Sequence, residues 1–94
     1  SGLKTLLESS EAPGIRFYLA MSYLNNNQYE LAGKELDKIT SLENKYTPQT
    51  YWYSALIALK TNNPEKAIKY LQLLDKADFN FKRKEVDKLL RQLN

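Results

Sequence analysis

Laid on itself with a shift of 35 residues, this chain repeats. Pro13 meets Pro48, Tyr18 meets Tyr53, Ala20 meets Ala55 and Leu24 meets Leu59 in that register. Further on, Asn27 meets Asn62, Glu30 meets Glu65, Ala32 meets Ala67, Lys34 meets Lys69 and Leu36 meets Leu71. Type-preserving pairs fill the gaps: Phe17 with Trp52, Met21 with Leu56, Ile39 with Leu74. Nine gap-free identities constrain the fold more than composition does. A chain that recurs at such a period makes one supersecondary unit and stacks copies of it.

Each unit reads as two helices. The first helices are predicted over about Ile15–Asn25 and Gln49–Thr61, each after a proline whose missing N–H costs nothing at a helix start, with Thr47 as N-cap of the later one. Polar turns follow, Asn26-Asn27-Gln28 and Asn62-Asn63. Second helices are predicted over about Tyr29–Glu43 and Pro64–Ala77, the latter capped by Asn63. Their apolar residues recur at helical spacing: Leu31, Ala32, Leu36, Ile39, Leu42, then Ala67, Ile68, Leu71, Leu74. Residues 3–13 align with 38–48, so the chain is expected to start inside the second helix of an earlier unit, as part of a longer protein. Phe81–Leu93 is predicted as a last helix, with Val86, Leu89, Leu90 and Leu93 on one side and polar residues on the other. Such a helix covers the apolar end of a stack.

Composition narrows function. With 43% hydrophobic and 27% charged residues the composition is that of a globular chain and argues against disorder. It has no Cys and no His, which removes disulfides, thiolate metal sites, the commonest general base and the commonest metal ligand. Neither a glycine-rich phosphate loop nor a nucleophile elbow is present. No enzyme, metal or cofactor is therefore expected. The net charge of +3 is spread too evenly to suggest nucleic acid, apart from Lys82-Arg83-Lys84, which reads as a solvated helix start, with a phosphate or anionic-surface contact as the alternative. The longest apolar run, near Ala55–Leu59, is too short to insert in a bilayer. Compartment is left open.

The residues resemble the tetratricopeptide repeat family. Its motif sets a large and a small residue in the first helix and a second small residue in the second helix, then two apolar positions. Leu19-Ala20, Tyr23, Ala32, Leu36 and Ile39 match it, as do Ala55, Ala58, Ala67, Leu71 and Leu74. Asn27 and Asn62 stand where the family often has Gly, Ser54 stands where Leu19 does one repeat earlier, and the period is one residue longer than the family's usual 34. The resemblance implies an all-α, right-handed solenoid of helical hairpins with about five or six helices. In that frame residues 1–12 end a preceding repeat, 13–46 and 47–80 are repeats, and 81–94 form the capping helix. The alanines would be small because paired helices cross closely there.

By position, the resemblance also implies a concave face lined by first helices: Phe17, Tyr18, Met21, Leu24 and Asn25, then Gln49, Trp52, Tyr53, Leu56 and Lys60. Phe17 and Trp52, equivalent and one repeat apart, would lie side by side, either as aromatic anchors for a peptide or helix or packed as core against a neighbouring helix. The family's carboxylate-clamping groove is disfavoured, since its Lys, Asn and Arg positions hold Phe17, Met21, Trp52 and Leu56. The expected function is a non-catalytic protein-interaction module. The alternative is a structural repeat segment, packing within a larger protein or self-associating as a homodimer through its N-terminal repeat end, where Leu3, Leu6 and Leu7 would be apolar.

Overall fold

The computed structural model describes residues 12–40, 45–76 and 81–93, which form five helices and no strand. These are α1 (Ala12–Asn25), α2 (Tyr29–Thr40), α3 (Thr47–Lys60), α4 (Pro64–Lys76) and α5 (Arg83–Leu93). The all-α expectation holds for them. The predicted helix before Ala12 and the predicted ends of the two second helices, to Glu43 and Ala77, lie outside the described residues. The chain divides into two compact units, Ser1–Thr47 and Pro48–Asn94.

In the first unit, α1 and α2 pack together across the turn at residues 26–28. Two carbonyls near the end of α1 are satisfied by the turn itself. Asn27 N–H donates to Leu24 O (2.9 Å) and Gln28 N–H to Tyr23 O (2.9 Å), with Asn27 at φ 60°. This is the Schellman closure, in which one left-handed residue lets the chain reverse. Asn tolerates that conformation better than other residues with a Cβ. Its side chain is engaged too, accepting from the Tyr29 hydroxyl at 3.1 Å. The Gln28 carbonyl then accepts the Ala32 N–H (3.0 Å), starting α2.

The second unit repeats this chemistry at the shift read from the sequence. Asn62, also at φ 60°, donates its N–H to Leu59 O (3.2 Å), and Asn63 N–H donates to Ala58 O (2.7 Å). The Asn63 carbonyl accepts from Ala67 N–H (3.2 Å), and its side chain accepts from Lys66 N–H at 3.4 Å, a long N-cap bond. Pro64 takes the first helical position, as predicted.

Burial follows the same register. Ala20, Ala32 and Leu36 in the first unit, and Ala55, Ala67 and Leu71 in the second, are all 0% exposed. Ile39 and Leu74 are buried alike. Leu31 departs from the predicted apolar face: it sits one residue before Ala32, about 100° round the helix, and is exposed.

One equivalent site keeps its place and changes its chemistry. Arg16 on α1 reaches Glu35 on α2 (3.2 Å), and Glu35 also holds Lys38 (3.4 Å). Their equivalents, Tyr51 on α3 and Tyr70 on α4, form an aromatic pair with centroids 6.0 Å apart. Both hairpins therefore tie their helices at one register point, by charge in one and by ring contact in the other.

The second unit's core joins α3, α4 and α5: Trp52, Ala55, Ala58, Ala67, Tyr70, Leu71, Leu74 and Val86 are buried together, with Leu89, Leu90 and Leu93 packed against them. α5 begins at Arg83, two residues later than predicted, because Lys82 is left-handed at φ 50° and serves as the start, its carbonyl accepting Val86 N–H at 2.8 Å. The other first-helix boundaries shift as well: α1 opens three residues earlier than predicted and α3 two, so that each proline sits in a first turn.

Candidate interaction surface

The predicted partner-facing residues come from α1 and α3 and do not share one environment. On α1, Ala20 is buried and the opposite side is open. Tyr18 is 73% exposed, Ile15 36% exposed, and Ser22 and Asn25 are exposed. These four recur at about one helical turn, so they form one stripe. The Ser22 hydroxyl donates back to Tyr18 O (3.1 Å), keeping that polar group satisfied within the helix.

Phe17 and Met21 are half-buried. Tyr46 stacks on Phe17, with centroids 5.2 Å apart and planes 20° from parallel, and Lys45 Nζ lies 5.3 Å from the Tyr46 centroid. Gly14 makes room for this, since a Cβ there would approach the Tyr46 hydroxyl to 3.2 Å. Phe17 thus packs within its own unit, under a residue that follows α2. The sequence pattern missed Tyr46, because nothing periodic marks a residue in a connection.

On α3, Trp52 is 8% exposed and belongs to the core. Of the two readings open for it, partner anchor and core residue, its placement is that of the core: α5, supplied from more than 30 residues away, contributes Val86 to the cluster that buries it. Tyr53 and Leu56 are half-buried against the same cluster. Gln49 is half-buried, with its Oε1 buried and without a hydrogen-bond partner. Lys60 is exposed in the last turn. Tyr18 and Asn25 are therefore the expected contact residues that lie fully open on the first helix, and Ile15, which sequence reasoning passed over, joins them. Its signal was available: it lies three residues before Tyr18, on the side away from Ala20.

Charge is divided between the units. Residues 48–94 carry nine basic and five acidic side chains, and residues 1–47 five basic and six acidic. Three of the four basic residues of α5, Lys84, Lys88 and Arg91, form an exposed row with Glu85 and Asp87 beside them, and the fourth, Arg83, pairs with Asp75. Among the described residues, no group of three or more His, Cys, Asp or Glu is placed to hold a metal ion. No described helix is long and apolar enough to cross a membrane. Compared with known proteins, the chain matches no family model, no curated protein and no solved structure.

Proposed function

We propose that this chain is a segment of a tetratricopeptide-like helical-hairpin solenoid that binds a protein helix or extended peptide and catalyses nothing. The stripe Ile15–Tyr18–Ser22–Asn25 on α1 is the contact surface. The carrying observation is Tyr18, a large aromatic side chain 73% exposed on a helix whose other side is packed. A ring so presented loses little freedom on binding and gives much contact area, which is how interface anchors behave. The duplicated turns, alanine pairs and hairpin ties support the solenoid part of the reading.

The test is selection of helical peptides on the purified chain, followed by calorimetric titration of the selected peptide against Tyr18→Ala. Affinity is expected to fall by tenfold or more, the scale of an interface anchor. Unchanged affinity in a variant with native circular dichroism sinks the assignment of this surface.

A second reading has its own support. The positions equivalent to Ile15 and Ser22 are Thr50, 0% exposed, and Ile57, 6% exposed. A face that is covered in one hairpin and open in the other suits a structural stack, in which the α1 stripe meets another hairpin or a second copy. Sedimentation separates the two readings. A concentration-dependent dimer that Tyr18→Ala returns to monomer favours the stack, and a monomer at all concentrations favours a separate partner.

A further inference from the structure

The corner leading into α5 holds a feature that the α1 stripe does not use. Lys82 has φ 50°, a backbone state that a lysine adopts at a cost and keeps only where its surroundings compensate. Its Nζ lies 5.5 Å from the Trp52 ring centroid and 5.8 Å from that of Phe81. Both distances fall within cation–π range, and Trp is the strongest acceptor of that kind. Trp52 is a core residue and half-buried Phe81 packs against the same core, so the two rings are held in place from behind.

We infer that Trp52 and Phe81 form a seat for an organic cation, a quaternary ammonium foremost, which enters by displacing Lys82. The chain's own ammonium is the stand-in for that ligand. Three observations fit the exchange. Lys82 is exposed apart from this contact, so its side chain has water to move into. Its carbonyl starts α5 by accepting the Val86 N–H at 2.8 Å, so the backbone at residue 82 stays held when the side chain leaves the rings. The adjacent Arg83 is paired with Asp75 (3.3 Å), which offsets the nearest opposing charge.

A quaternary ammonium is favoured over sodium because it is large and weakly hydrated and gives up little hydration on meeting the rings, whereas the exposed Lys84 and Lys88 on α5 oppose every cation alike. Beside the seat, a cleft lined by Leu74, Asp75, Phe81, Arg83 and Val86 encloses about 10 Å³, the space of one water. That cleft is too small for a quaternary ammonium, so the head group rests on the ring faces at the surface and the body of the ligand stays outside. Either a free quaternary ammonium or a trimethylated lysine of a partner supplies that chemistry. This inference stands whether or not α1 binds a partner.

Trp52 is the chain's one tryptophan, so its fluorescence reports on the seat directly. The full chain is titrated with tetramethylammonium chloride, and with a tripeptide carrying trimethyl-lysine, against sodium chloride of equal ionic strength. Lys82→Ala is expected to give a saturable change in emission with both probes, at concentrations about fivefold below those the wild-type chain needs. Tighter binding of the tripeptide identifies a side-chain ligand, and equal binding a free cation. Lys82→Gly, which accepts positive φ without strain, repeats the test in a backbone suited to residue 82. The unmodified chain adds a check by proton NMR. Its Lys82 ε-methylene resonance is expected upfield of the free-lysine position through ring currents, moving back as tetramethylammonium is added. A free-lysine position in the wild-type chain, or variants that respond to both probes only as they do to sodium, overturns the proposal.

Discussion

Residues at equivalent positions in the two hairpins solve one packing problem in different ways. Arg16 and Glu35, each less than one-fifth exposed, bridge α1 and α2 where Tyr51 and Tyr70 bridge α3 and α4. Arg16→Ala leaves Glu35 half-buried with Lys38 as its remaining ion-pair partner among the described residues, and is expected to cost about 1–3 kcal/mol in urea unfolding. The double variant Arg16→Tyr, Glu35→Tyr is expected to recover most of that loss, because a packed apolar pair often replaces a buried ion pair without penalty. If the double variant is no better than Arg16→Ala, the two register points are not interchangeable. Ser54 makes the opposite case. Its hydroxyl is buried with no hydrogen-bond partner, as is that of Thr50 four residues earlier. Ser54→Ala removes that uncompensated group and is expected to stabilise the chain by up to about 1 kcal/mol, read as a higher urea midpoint.

At the scale of the element, each hairpin depends on one asparagine holding a left-handed turn. Asn27 and Asn62 share φ 60° and the same pair of closing bonds. Glycine reaches that conformation with no Cβ penalty, so Asn62→Gly is expected to raise the thermal midpoint by a few degrees. Asn62→Ala is expected to lower stability by about 1 kcal/mol, the cost of forcing alanine left-handed. Equal midpoints for the two variants sink this account of the turn. The Gly effect is predicted to be smaller at Asn27, whose side chain also accepts the Tyr29 hydroxyl.

For the molecule as a whole, the core of the second unit can be followed through three helices. The cluster from Trp52 to Val86 lies entirely within residues 48–94 and draws on three helices. A fragment of residues 48–94 is therefore expected to be helical by circular dichroism and to keep Trp52 emission at the short wavelengths of a buried indole. Its melting is expected to be broader and lower than the full chain's, since so short a chain buries a modest share of its surface. Emission typical of indole in water would show that the cluster needs residues 1–47 to form. The exposed large apolar side chains among the described residues, Ile15, Tyr18 and Leu31, all fall in the first unit.

Helix positions, turn residues and the buried alanine pairs were legible in the 94 residues alone. Each is governed by neighbours within a few positions: a proline in a first turn, an asparagine at a reversal, an apolar residue every three or four. Which aromatics would be open was not legible, because exposure depends on what the rest of the chain lays over a helix face. Phe17 and Trp52 look equivalent in the repeat, yet Tyr46 covers one and the core shared with α5 takes the other, while Tyr18 stays open. The ion pair matched by a tyrosine pair and the lysine held over two rings likewise exist only once distant segments meet. Local chemistry chose the elements, and long-range packing chose which surface stays open.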